Sequence, residues 1–383
     1  MRLGIVTSSY PLSSDDTVNA GVFVRDVAQA LARGGHEVHV LTPHKHGRVE
    51  PSEYVTVSHI PWWGGAKDLA SLSMQNPLNL LRFATLVTSG LWSVSRYAHV
   101  HRLDALLAMW AIPSGLFSWW TWRWLGIPYG VWALGSDIWA RRKYPFGDRI
   151  VRRVLRDARF RFADGVQLAW DVEQIAGASC AFVPSVRQLP ASPANLCDPD
   201  LTPDDTHFLF IGRYELNKGP DILIEAMRLL LDGGQSAHLH LFGDGSLKPQ
   251  LRNRIRGYER YIHLGGYADP NTVVAYMRTC DWLVIPSRIE SIPLIFVDAL
   301  QMHLPVIAAD VGDLGKLVRR FGVGKVVPPT DHVALAAAMQ VVLSQPRAAL
   351  AQVWDAPLEI FNLRASVRRV EEALLAVART HTP

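Results

Sequence analysis

Two pairs of charged residues in the second half of the chain have the types and spacing to handle a diphosphate-linked ligand. Arg213 and Lys218 flank a turn that follows an apolar run, and Glu290 and Asp298 lie eight positions apart. Two cations at a strand end can neutralise a phosphate pair without a metal. A pair of carboxylates with this separation suits one end of such a ligand and its ribose.

The elements that must hold these residues can be read around residues 281–314. Trp282-Leu283-Val284-Ile285 is an apolar run of the buried parallel-strand type, broken by Pro286-Ser287-Arg288. Ser291 stands where an N-cap belongs and Pro293 falls in a first helical turn, predicting a helix over 292–302. Pro305 then opens a strand over 306–309. A helix start at the end of a parallel strand is an anion site. The free amides would be those of Ile292, Leu294 and Ile295, with Glu290 at the mouth. Asp298 would lie about 9 Å from the helix start. Upstream, Phe208–Arg213 reads as strand and turn, followed by a helix over 220–232.

This stretch resembles the Glu-x7-Glu region of the family 4 retaining glycosyltransferases, which have the GT-B fold. The resemblance implies that Glu290 contacts the donor sugar and that Asp298, in place of the second Glu, holds the nucleotide ribose with one methylene less reach. Gly212-Arg213 with Lys218-Gly219 resembles the family loop in which Arg and Lys grip the donor diphosphate. Gly243-Asp244-Gly245 is similar to its Gly-x-Gly turn. Residues 262–267, ending in Tyr267, are similar to the strand and turn that meet the base. Ser291 belongs to the same constellation.

The amino-terminal half opens on a βαβ unit: strand 3–7, a helix with apolar Val24, Val27, Ala28 and Leu31, and a strand through Val38–Leu41. Gly21, at the loop-to-helix junction, allows close approach of backbone to a phosphate or sugar. Residues 44–80 read as irregular, and a helix is expected over 78–98. A strand over 130–134 ends at Gly135-Ser136-Asp137, similar to the family's Gly-Ser-Asp loop, with Asp137 expected to orient acceptor or donor. Histidines common in relatives are replaced by Leu107, Met109 and Leu134. The Asp198-Pro199-Asp200 triplet matches a metal motif of another fold by chance.

With 383 residues the chain has length for two cores. Three cysteines without CxxC spacing argue for a reducing compartment, and the first residues hold no signal-peptide core. The uncharged window 105–122 is interrupted by Pro113-Ser114-Gly115, so strand, loop and helix explain it better than a membrane span. Net charge is only +4, yet residues 141–161 hold nine Lys/Arg against Asp148 and Asp157. Ten of the 13 tryptophans occur by residue 139. Basic residues beside tryptophan are the composition of a surface lying on anionic lipid, or else of a solvated helix over a tryptophan-rich core.

The expected architecture is α/β of GT-B type, two doubly wound Rossmann-like domains facing a central cleft. Residues 1–187 would form the acceptor-side domain, 188–205 a Pro/Ser/Asp-rich linker and 206–357 the nucleotide-sugar domain, with a helix 358–379 in a segment 358–383 crossing back. The resemblance implies retaining transfer of a sugar from a nucleotide diphosphate donor to a glycan or lipid-linked acceptor. The departing phosphate would take the acceptor's proton, so no general-base histidine is required. No cofactor, metal or nucleic-acid partner is expected, and the expected location is cytoplasmic, at the inner face of the membrane. A non-catalytic nucleotide-sugar-binding subunit of a glycan-assembly complex is the alternative.

Overall fold

The structure is a computed structural model that describes residues 1–11, 21–44, 54–65, 76–144, 146–190, 201–202, 205–345 and 353–379. The chain divides into two compact units, one running to Ser185 and resuming at Leu363, the other spanning Val186–Asn362.

The first unit runs β1 (Arg2–Val6), α1 (Val22–Arg33), β2 (Glu37–Pro43), β3 (Val55–Ile60), α2 (Pro77–Val100), β4 (Ala105–Met109), α3 (Leu116–Leu125), β5 (Tyr129–Ala133), α4 (Ser136–Trp139), α5 (Gly147–Asp157), β6 (Phe160–Ala163), α6 (Val166–Ala176) and β7 (Ala181–Phe182). All strands pair in parallel, in the order β3-β2-β1-β4-β5-β6-β7. Central strands β4 and β5 are buried along their whole length, which is why they read as continuous apolar runs. One sheet face is covered by Leu86, Val94 and Ala98 of α2, Phe117 of α3, Val154 of α5 and Leu168 of α6. On the other, Phe23 of α1 meets the Trp132 ring edge-on at 6.2 Å.

The second unit runs β8 (Thr206–Ile211), α7 (Pro220–Asp232), β9 (Ala237–Phe242), α8 (Lys248–Arg254), β10 (Ile262–Leu264), α9 (Pro270–Thr279), β11 (Trp282–Ile285), α10 (Leu294–Gln301), β12 (Val306–Ala309), α11 (Leu314–Phe321), β13 (Gly324–Val327), α12 (His332–Val342) and α13 (Asp355–Ile360). Its sheet is parallel in the order β10-β9-β8-β11-β12-β13. The order reverses between β8 and β11. The loops leaving these neighbours therefore diverge and open a crevice at their carboxyl ends.

The last helix, α14 (Leu363–Arg379), belongs to the first unit. Glu371 meets His36 Nε2 at 2.9 Å, and Ser366 donates to the Pro184 carbonyl at 3.0 Å.

Several expectations are revised. The helix expected over 358–379 is broken, because Phe361 leaves helical geometry at φ −90°, ψ 62° and buries its ring beside Phe296 and Phe321. The irregular stretch 44–80 contains β3, whose ladder to β2 runs from Val38↔Val55 to Pro43↔Ile60. Polar Thr56, Ser58 and His59 on this edge strand hid it from a search for apolar runs. The window 105–122 folds as β4, a turn and α3, and among the described residues no helix is long and apolar enough to cross a membrane. Most of the 188–205 linker, with Asp198 and Asp200, lies outside the described residues.

Candidate active site

The carboxyl end of β8 leads into Gly212 and Arg213, then a 3-10 turn over Leu216–Lys218, then α7. Gly219 sits between turn and helix at φ +70°, and a Cβ there would lie 2.1 Å from the Pro286 carbonyl oxygen. Only glycine permits both the left-handed backbone and that approach. It brings the β8 loop against the β11 loop, backbone to backbone. Arg288 fastens the two together: its guanidinium takes both oxygens of Asp221 at 2.9 and 2.8 Å, and its amide donates to the Asn217 carbonyl at 2.8 Å.

The result is that Lys218 and Glu290, 72 positions apart, form an ion pair. The Glu290 carboxylate also accepts from Ser287 Oγ at 3.3 Å. Both side chains keep partial exposure, 23% for Lys218 and 12% for Glu290, so a ligand can reach them. Arg213 stands exposed at the end of β8 and has no ion-pair partner among the described residues. Gly312, at φ +52°, supports Glu290 from below, since a Cβ there would lie 2.1 Å from the Glu290 carbonyl oxygen. Gly212 and Gly243 are also in backbone contact: a Cβ on Gly243 would meet the Gly212 oxygen at 1.9 Å. Beneath that turn, the buried Tyr214 hydroxyl shares its one proton between the Leu241 carbonyl at 2.9 Å and the Gly265 carbonyl at 3.0 Å. Tyr267 is 55% exposed just beyond.

The start of α10 differs from expectation. The helix begins at Leu294, and Pro293 is its N-cap residue in extended geometry at φ −70°, ψ 138°. Proline disfavours helical geometry at the residue before it, which leaves Ile292 outside the helix. Ser291 is not the N-cap residue, and both Ser291 and Ile292 are buried. The first-turn amides are those of Leu294 and Ile295, while that of Phe296 already bonds the Pro293 carbonyl.

Asp298 also differs. It comes one turn into α10 and has no exposed surface, and the guanidinium of Arg187 engages both its carboxylate oxygens. Burial pushes its carboxyl above the ordinary range, against the pull of Arg187. Its carboxylate is thus occupied by Arg187 rather than presented to solvent for a ribose. Sequence reading had no signal for Arg187, which lies 111 positions away in an irregular stretch.

In the first unit, Gly135 at φ +93° turns the chain from β5 into α4. Asp137 points inward. Its carboxylate accepts from the Ala111 amide at 2.6 Å and the Leu134 amide at 3.1 Å, tying the β4 loop to the β5 loop. Burial pushes its carboxyl up to about 6, opposed by four backbone amides. The neighbouring Ser136 is the one that is exposed. Gly21 caps α1, and a Cβ on it would lie 2.4 Å from the Ser9 carbonyl oxygen.

A parallel Rossmann-like unit with a Lys/Glu ion pair at its strand-order reversal describes the class. Comparison with known proteins then names the family. Residues 205–345 match the family profile for glycosyl transferases group 1, and residues 20–184 match that for the glycosyl transferase 4-like domain. The chain belongs to the family 4 glycosyltransferases, of GT-B type. It is 34% identical over 152 residues to a D-inositol 3-phosphate glycosyltransferase of Jonesia denitrificans, covering 37% of this chain and 36% of that one. It is 32% identical over 137 residues to a phosphatidyl-myo-inositol mannosyltransferase of Mycobacterium leprae, covering 35% and 36%. The matches thus span about a third of the length of these curated relatives. Among solved structures, sucrose-phosphate synthase from Thermosynechococcus elongatus superposes with a TM-score of 0.78 at 19% identity, over 99% of this chain and all of that one. Anabaena HepE in complex with UDP and glucose gives 0.72 at 17% identity, over 98% and 100%.

Proposed function

We propose that this protein is a retaining glycosyltransferase. It would move a sugar from a nucleotide diphosphate donor to a glycan or lipid-linked acceptor, in cell-surface polysaccharide or glycolipid synthesis. The observation that carries the reading is the Lys218–Glu290 pair at the reversal of strand order, with Arg213 exposed at the end of β8. A diphosphate arriving there meets two cations and the amides of Leu294 and Ile295. These stabilise the negative charge that grows on the leaving group without a metal. Lys218 released from Glu290 frees that carboxylate to position the donor sugar. The acceptor hydroxyl then attacks from the leaving-group side, and the departing phosphate takes its proton. The UDP complex of a structural neighbour supports a nucleotide-linked donor, and the two curated relatives support glycosyl transfer. Asp298 is proposed to act on donor binding through the Arg187 contact that fixes α10.

The proposed place of action is cytoplasmic, in peripheral contact with the anionic inner face of the cell membrane. A second reading, a nucleotide-sugar binder without turnover, is favoured by one feature: Leu107, Met109 and Leu134 stand where histidines are common in the family. Incubation with a panel of nucleotide sugars and lipid-linked acceptors, with NMR of the product's anomeric proton, tests both. Retained configuration, unaffected by chelator, is expected. Donor binding without hydrolysis or transfer across the panel establishes the second reading, and an inverted product overturns the first.

A further inference from the structure

Helices α2 and α3 together hold three arginines, Arg82, Arg96 and Arg123, and no Asp or Glu. They pack on each other through Gly90, where a Cβ would meet the Phe117 ring at 2.4 Å, and through Ser95 and Thr121, whose hydroxyls are 3.0 Å apart. Leu86, Val94 and Ala98 point into the core. The outward side is what a water-facing helix pair should not have. Leu78, Leu81, Trp92, Val100, Trp124 and Leu125 are all exposed, from 39% at Leu125 to 67% at Trp124. Within α2 the exposed residues Leu81, Ala84, Thr88, Trp92 and Arg96 recur at three- and four-residue spacing and so form one stripe, with Leu78, Leu80, His99 and Val100 exposed towards its ends. The guanidinium of Arg96 stacks over the Trp92 ring at 5.2 Å.

By contrast, much of the basic run 141–161 is engaged within the protein. Arg141 pairs with Asp148, and Arg153 and Arg156 pair with Asp157. Arg161 is buried and donates to the carbonyls of Leu155, Arg156 and Ala158.

We infer that the outer face of α2 and α3 is a docking surface for an anionic phospholipid bilayer, with the indoles and leucines entering the headgroup boundary and the arginines meeting lipid phosphates. Tryptophan and leucine with arginine and no acid is the composition of a helix lying in a membrane interface. Charge selects the occupant. A second copy of this face would set arginine against arginine, whereas an anionic lipid surface complements it. The inference rests on the lipid-linked-acceptor reading and names the surface that reading requires, yet vesicle binding tests it without any turnover.

The experiment is sedimentation of the full chain with vesicles of phosphatidylglycerol and phosphatidylcholine, and with phosphatidylcholine alone. The wild type should pellet with the anionic vesicles. Leu81→Ser/Trp92→Ser/Trp124→Ser should weaken this at least tenfold, and Trp124→Ser alone, an exposed site that leaves folding untouched, several-fold. Arg149→Gln/Arg152→Gln/Arg156→Gln should change it less than twofold. A wild type left in the supernatant overturns the inference, as does binding that only the α5 arginine variant abolishes. So does a concentration-dependent dimer that the serine substitutions dissolve, since a second copy would then cover the face. Donor binding followed by thermal shift should be the same in all these variants, and its absence in the wild type would count against the proposed function alone.

Discussion

Arg187 closes a fork on Asp298 inside the second unit, where the carboxylate has no contact with solvent. Breaking a buried pair by removing one partner leaves the other charge uncompensated, at a cost of about 3–5 kcal/mol. Asp298→Ala should therefore lower the urea midpoint strongly, while Arg187→Met/Asp298→Leu should recover most of the loss. Unchanged stability with only a raised donor KM would return Asp298 to a direct ribose contact.

Lys218 and Glu290 share one another as partners, and Arg213 shares neither. Lys218→Ala and Glu290→Gln should each reduce turnover by about 10²–10³-fold, the usual effect of removing one charge-stabilising group. Combined, they should lose much less than the product of the two, because both disrupt one unit. Arg213→Ala should instead multiply with either. Strict multiplicativity of Lys218→Ala with Glu290→Gln in kcat/KM would show that the pair does not act together.

Gly219 and Gly234 both adopt positive φ, +70° and +78°, but only Gly219 faces a backbone oxygen within 4 Å. Alanine at Gly234 should cost only the left-handed penalty of about 1–2 kcal/mol. Alanine at Gly219 should cost clearly more and abolish donor binding, because the Pro286 loop must move. Equal denaturation midpoints for the two variants would contradict the packing described.

His207, His238, His240 and His263 stack on one face of the second sheet, with His207 Nδ1 and His240 Nε2 3.0 Å apart. Among the described residues, Asp205, Tyr261 and Tyr276 face this stack, and Asp281 accepts from the His207 amide at 2.8 Å. Burial holds the His240 imidazole down at about 3 and lowers His263 as well, with the neighbouring histidines adding to both. His240 is neutral in the fold and protonates once unfolded, so its contribution to stability is full above the unfolded value near 6.5 and falls as pH drops below it. For His240 the slope is at most about 1.4 kcal/mol per pH unit. Urea midpoints at pH 7 and pH 5 should show this, and His240→Leu should flatten the fall. An unchanged slope would remove the stack from the acid response.

What the sequence by itself determined is local. Buried parallel strands announce themselves as apolar runs, as in residues 282–285 and 306–309. Gly212, Lys218 and Glu290 stand at the ends of such runs, so the α/β class and the loops bearing the candidate site were legible without coordinates. Whatever depends on distance along the chain was not. That Lys218 meets Glu290 follows from β8 and β11 being neighbours in the sheet, and that Arg288 grips Asp221 follows from the same adjacency. The direction of a side chain was equally hidden. Asp137 and Asp298 read as acids at the edge of a site, yet both are buried, one held by backbone amides and the other by Arg187. A carboxylate's role is set by whether water or protein surrounds it, and only the packed tertiary structure decides that.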